Sequence, residues 1–104
     1  MSIDPSLSAQ GADWIAEMVS EELGGFVPSE FCDLVFEVEA RVREEANDPE
    51  MSHDVMAKRL FEIFDADPNI PTQAGAVSEF IIHEVLHWED EFLAMAGHPR
   101  KVRR

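Results

Sequence analysis

Two histidines and a glutamate stand close together near the end of the chain, in the run His83-Glu84-Val85-Leu86-His87. On a helix, two histidines four residues apart project from one face and can both reach a single metal ion. A glutamate directly after the first histidine can lie beside a metal-bound water and take its proton. The spacing therefore predicts His83 and His87 as metal ligands and Glu84 as a general base.

This run resembles the HExxH helix of the zincin metalloproteases, and the resemblance implies zinc and a hydrolytic reaction. It extends only from Phe80 to Trp88. The metzincin form continues with a glycine and a third histidine, where this chain has Asp90 and Leu93. The gluzincin form takes a later glutamate as third ligand, and no acidic residue follows Gly97. We therefore expect a protein that is not an enzyme, and an HExxH zinc-dependent hydrolase is the alternative.

The histidines also belong to a longer polar row, Glu79, His83, His87 and Glu91, in which each residue is four from the last. One interpretation is a solvated stripe of ion pairs worth roughly 0.2–0.5 kcal/mol each, with no cofactor. The other is a site for zinc or iron with Glu91 as a further ligand. The spacings of Glu84 and His87, and of His87 and Glu91, are similar to those in di-iron bundles and hemerythrins. One chain lacks the matching ligands, so such a site implies a symmetric dimer.

Negative charge dominates the composition, with 22 Asp and Glu against 8 Lys and Arg and a formal net charge of −14. Four of the eight basic residues are Arg100, Lys101, Arg103 and Arg104. Such a surface repels nucleic acid, because phosphate binding depends on cationic side chains. It attracts basic protein surfaces instead. The composition therefore predicts a small protein-interaction or regulatory module that binds a basic or apolar surface of a partner protein.

Three further features bear on location and partners. The single cysteine, Cys32, excludes a disulfide within the chain and is compatible with a reducing cytoplasm. No signal peptide and no apolar stretch of about 20 residues is present, so we predict a cytoplasmic protein without membrane contact. Leu7 and Phe36 lie off the predicted apolar stripes and would offer surface to a partner or to a second copy in a homodimer.

Apolar residues at helical spacing predict an all-α fold: a compact bundle of about four helices in one domain, the longest at the C-terminal end. Residues 1–10 and 98–104 are expected to be flexible ends. The predicted helices run from about Ala12 to Leu23, from Ser29 to about Ala46, from the cap Ser52 through Phe64, and from the cap Thr72 to Ala96.

The predicted core follows the same periodicity. The third helix is expected to bury Met56, Leu60, Ile63 and Phe64. The core face of the last helix is predicted to consist of Val77, Ile81, Val85, Trp88, Phe92 and Met95, with Ile82, Leu86 and Leu93 on one flank. The polar row from Glu79 to Glu91 is predicted to lie on the other flank.

Overall fold

Four α-helices make up the computed structural model, which describes residues 5–70 and 77–102. They are α1 (Pro5–Leu23), α2 (Ser29–Ala46), α3 (His53–Asp65) and α4 (Glu79–Met95). No strand occurs within those two stretches, and none of the helices is both long and apolar enough to cross a membrane. The predicted all-α bundle is confirmed.

Local sequence signals set most of the helix ends. Gly24 follows α1 with a φ of 68°, a left-handed conformation that glycine adopts without strain. Asn47 takes a similar conformation after α2, with a φ of 50°. Before α3, the hydroxyl of Ser52 accepts a hydrogen bond from the backbone N–H of Val55 at 3.3 Å, so the predicted cap is confirmed.

Two helices differ from the prediction. α1 is already helical at Pro5 instead of beginning near Ala12, because proline suits the first turn of a helix. With 19 residues it is longer than α4, which has 17, so the longest helix is not the C-terminal one. Ser78 caps α4, since its hydroxyl accepts a hydrogen bond from the N–H of Ile81 at 3.2 Å. The predicted cap Thr72 lies outside the described residues.

α4 lies between α1 and α3 and packs extensively against both. α2 packs against α1 and, over a smaller area, against α3. Because α2 and α4 contact each other over only a small area, a space is left between them that opens to the surface. The Cα radius of gyration is 12.9 Å, close to the roughly 13 Å expected of a folded domain of this size.

The buried face of α4 differs from the predicted one. The buried side chains of α4 are those of Ile82, Val85, Leu86, Glu89 and Leu93. Of the predicted core face, Ile81, Trp88 and Phe92 are only partly buried and Met95 is 65% exposed. The helix is rotated toward its predicted flank because it must cover α3 as well as α1. In α3 itself, the expected burial of Met56, Leu60 and Phe64 is confirmed and Ile63 is 37% exposed.

Candidate functional site

The two histidines of the HExxH run have different neighbours. His83 faces α3, where its Nε2 lies 3.0 Å from Oδ1 of Asp54 and its ring centroid lies 5.9 Å from that of His53. His87 is exposed, and its ring meets Trp88 edge-on with the centroids 5.2 Å apart. Within the described residues, no group of three or more His, Cys, Asp or Glu side chains is arranged to hold a metal ion.

Glu84, the candidate general base, faces α1. Its carboxyl is hydrogen-bonded to that of Glu22, and Oε2 of Glu22 also accepts a hydrogen bond from the indole N–H of Trp88 at 2.7 Å. Burial and the hydrogen bond with Glu22 raise the pKa of Glu84, while the bonds from Glu84 and Trp88 lower the pKa of Glu22. The candidate base is therefore engaged by a carboxyl of α1 in addition to any contact with the histidines.

Most of the polar row lies at the surface. Glu79, His87 and Glu91 are exposed, and only His83 is partly covered. Glu91, the candidate third ligand, follows His87 on this exposed side of α4. Among the described residues the row is thus a surface feature, and His83 contacts Asp54 and His53 of α3.

A cluster of charged side chains that the sequence did not predict lies where α4 meets α2, α3 and the C-terminal segment, and His53 connects it to His83. Arg100, just beyond the helix, donates from Nε to Oδ1 of Asp90 at 2.6 Å and from Nη2 to Oε1 of Glu89 at 2.7 Å. The same Nη2 lies 3.0 Å from Oε2 of Glu39 on α2. One guanidinium therefore joins α2, α4 and the C-terminal segment.

The cluster extends to the loop before α3 through a second arginine. Arg43 donates from Nη2 to Oε2 of Glu39 at 2.8 Å. Its Nη1 donates to the backbone carbonyls of Pro49 and Met51, each at 3.1 Å. The side chain of Arg43 thereby fixes the α2–α3 connection against the end of α2.

His53 attaches α3 to the same cluster. Its Nε2 lies 2.5 Å from Oδ2 of Asp90, while its Nδ1 is buried with no hydrogen-bond partner among the described residues. Burial alone would raise the pKa of Asp90, but the hydrogen bond from His53 and the charge of Arg100 outweigh it and lower that pKa.

The ionised form of Glu89 is disfavoured in the cluster. Burial and the negative charge of Glu39 raise its pKa well above the usual range, and the nearby Arg100 offsets this only in part. The guanidinium itself has a raised pKa, because the carboxylates outweigh the effect of burial. Three carboxylates and two arginines thus share one poorly solvated region, and the carboxylates are in excess.

The sequence did contain a signal for this cluster. Glu39 stands within the apolar stripe of α2 between Val35 and Val42, and Glu89 stands between Val85 and Leu93 on α4. A carboxylate at a core-facing position of an amphipathic helix needs a buried partner. The pattern could have identified the two glutamates, but not Arg100, because that residue lies outside any periodic segment.

A cleft of about 1020 Å³ opens between α2 and α4 and is bounded by α1 and by the segment at Pro99 and Arg100. Its walls include the half-buried rings of Phe36 and Phe92. At its floor lie the buried carboxylates of Glu39 and Glu89.

The rim of the cleft is acidic. Asp33, Glu37 and Glu44 line it from α2, and all three are exposed. Partial burial, followed by the negative charges of Asp13 on α1 and Glu30 on α2, raises the pKa of Asp33. Like charges of α1 and α2 therefore lie close to one another at this rim.

A glycine allows α1 to approach the cleft wall closely. A Cβ atom on Gly11 would lie 2.8 Å from the ring of Phe92, closer than two carbon atoms can approach. Because glycine has no Cβ atom, the ring of Phe92 can pack closely against the backbone at Gly11 and line the cleft.

The cysteine offers no nucleophile for chemistry at this site. Cys32 is fully buried, and burial, followed by the charges of Asp33 and Glu89, raises the pKa of its thiol to about 12. Because the thiolate is the reactive form, Cys32 acts as a small core residue.

No protein-family model, no curated protein and no solved structure significantly matches this chain. The class of protein that fold and site define is thus an acidic four-helix domain with an open cleft between α2 and α4.

Proposed function

We propose that this chain is a non-enzymatic protein-interaction module, cytoplasmic in location, that docks a basic or apolar surface of a partner protein. The charge of its surface carries this proposal. In the described part of the chain, sixteen acidic residues are exposed against four basic ones. The exposed basic residues are Arg41, Lys58, Arg59 and Lys101.

The ion-pair cluster increases this imbalance. Arg43 and Arg100, the other two arginines among the described residues, direct their guanidinium groups inward to buried carboxylates. They contribute little positive potential to the surface. A surface of this kind repels nucleic acid and steers a basic protein toward itself over about one Debye length.

The test is capture of partners from an extract of the source cells, followed by titration of each purified partner at several salt concentrations. We expect a partner with a basic surface whose affinity falls steeply between about 50 and 500 mM NaCl, because salt screens exposed charges. A variant bait in which the exposed row Asp13, Glu17 and Glu21 on α1 is neutralised should capture less of the partner. An affinity that does not respond to salt would exclude the proposal.

A metal-dependent function is the alternative, and one contact favours it. His53 on α3 brings a third imidazole near His83, with the ring centroids 5.9 Å apart. Zinc or iron held by His83, His87 and Glu91 would still need ligands from elsewhere, such as a second copy. A hydrolytic version would also require Glu84 to exchange its hydrogen bond with Glu22 for one to a metal-bound water.

Elemental analysis of protein purified without an affinity tag separates the two proposals. Under the alternative, zinc or iron is present at a fixed ratio to the chain and is lost in both His83→Ala and His87→Ala. His98→Ala is the matched control, because His98 is exposed beyond the end of α4. Metal content that is the same in all four proteins contradicts the alternative.

A further inference from the structure

The cleft between α2 and α4 combines a concave shape with partly exposed aromatic rings. Two aromatic rings, those of Phe36 and Phe92, are only half-buried along its walls. Exposed aromatic surface in a concave site is typical of positions where a partner inserts a side chain. The volume of about 1020 Å³ exceeds what one side chain fills.

The charges around the cleft determine which partner fits it. Asp33, Glu37 and Glu44 stand exposed at the rim, and the carboxylates of Glu39 and Glu89 lie at the floor. The guanidinium groups near the floor are already bound to carboxylates. A ligand that enters the cleft therefore meets apolar walls and negative charge.

We propose that this cleft docks a short basic segment of a partner protein, which inserts one apolar side chain between Phe36 and Phe92 and places Lys or Arg beside Asp33 and Glu37. This inference rests on the proposed function and gives it a location. A cation at the rim would relieve the repulsion among the acidic residues of α1 and α2. The rim runs along α2 from Asp33 to Glu44, about 16 Å at the helical rise per residue, which is enough for a segment of several residues.

Ala40 provides a variant that blocks the cleft without disturbing the core. It is an exposed residue of α2 that lines the cleft, so Ala40→Arg places a long cationic side chain inside. Ala94→Arg is the matched control, because Ala94 is an exposed helical alanine of α4 that does not line the cleft. Both variants change the net charge by the same amount.

A second matched pair tests charge at the rim. Glu37→Lys reverses a carboxylate that lines the cleft, and Glu45→Lys reverses an exposed one on the same helix outside it. All four variants are compared with the wild type by circular dichroism and thermal midpoint before use. Binding is then interpreted only for the variants that keep the wild-type fold, and the two pairs give independent tests.

The probe is a displayed library of random peptides, panned against the wild-type protein. We expect selected peptides that combine Lys or Arg with an aromatic or aliphatic residue. By fluorescence anisotropy, Ala40→Arg and Glu37→Lys should each weaken binding at least about tenfold, or 1.4 kcal/mol. The controls Ala94→Arg and Glu45→Lys should change it less than about threefold.

Three results would overturn the docking site. If cleft and control variants weaken binding equally, the charge of the whole surface acts and the proposed function survives without this site. If the library yields no binders, or binders without basic residues, the cleft does not recognise such a segment. If Ala40→Arg alters the sedimentation coefficient of the protein alone, a second copy occupies the cleft. Failure of the proposed function itself appears separately, as salt-independent partner capture.

Discussion

Arg100 is the residue on which the buried charge cluster depends. It pairs with Glu39, Glu89 and Asp90, and Asp90 in turn contacts His53 on α3. Buried charges are costly to desolvate, so a cluster of this kind contributes little net stability while intact. Removal of one partner, however, leaves uncompensated charge in a poorly solvated region. The cluster therefore constrains how α2, α3, α4 and the C-terminal segment fit together.

We expect Arg100→Ala to lower the free energy of unfolding by about 3 kcal/mol, the lower end for a broken buried ion pair. Urea denaturation measures this difference. Lys101→Ala removes the neighbouring, exposed charge and should stay within about 0.5 kcal/mol of the wild type. Equal effects of the two variants would show that Arg100 is not held in the cluster.

The raised pKa of Glu89 predicts how the free energy of unfolding changes with pH. Its pKa in the folded protein is raised above the ordinary 4.5, so the folded state binds more protons than the unfolded state. By linkage, this residue lowers stability as the pH rises above about 4.5. Glu89→Gln removes that titration, so the stability of the variant relative to the wild type should increase from pH 4.5 to 7.

Urea denaturation at several pH values measures that difference for Glu89→Gln. Glu91→Gln is the matched control, because Glu91 is exposed on the same helix and its variant should keep a constant difference from the wild type. A difference for Glu89→Gln that is constant or declines over this range would contradict the raised pKa.

At the scale of elements, α4 has the most demanding position, because it is covered on one side by α1 and on another by α3. An amphipathic pattern predicts one buried stripe, but a helix between two neighbours buries a wider face. That wider face includes Glu89, which could be buried only because Arg100 returns along the helix to meet it. It also turns His83 toward α3 and Glu84 toward α1, which separates the groups of the HExxH run.

Two serine caps set the start of α3 and of α4. We expect Ser52→Ala and Ser78→Ala each to lower the free energy of unfolding by about 1 kcal/mol, because each removes a hydroxyl that accepts a backbone N–H. Chemical denaturation measures the loss. Ser29→Ala is the control, because Ser29 lies inside the first turn of α2, where alanine is a good helix former. If Ser29→Ala costs as much, the caps are not the cause.

For the whole molecule, the charge of −14 acts against compactness as well as toward partners. Like charges face one another across α1 and α2, since the charge of Asp13 adds to partial burial in raising the pKa of Asp33. Self-repulsion of this kind destabilises the folded state and weakens as salt screens it. The acidic surface that suits a basic partner therefore also lowers the stability of the free protein.

We expect the thermal midpoint to rise when NaCl is increased from about 0.1 to about 0.5 M, since each 1 kcal/mol gained corresponds to roughly 4–8 °C in a domain of this size. Scanning calorimetry measures the midpoint. The double variant Glu37→Lys with Glu45→Lys has less repulsion to screen and should gain less. A wild-type midpoint that is unchanged or lower in high salt would contradict this reasoning.

The sequence by itself determined the helices and the charge of the surface. Helix ends depend on neighbouring residues, so Gly24, Asn47 and Ser52 could be recognised as terminators and caps without knowledge of the fold. Burial of Met56, Leu60 and Phe64 followed from periodicity, because α3 presents a single apolar stripe. The predicted starts of α1 and α4 were less accurate, because several serine, threonine and proline residues near each helix could mark its beginning.

Only the tertiary structure decided which polar residues meet. The HExxH spacing is a property of one helix, whereas a site requires groups from several, and here α1 and α3 direct Glu84 and His83 to different partners. Arg100 meets Glu39 across a separation in sequence that no periodic pattern spans. The cleft is likewise a product of packing, because it exists where α2 and α4 contact each other over only a small area. No short-range rule determines where two helices leave space between them.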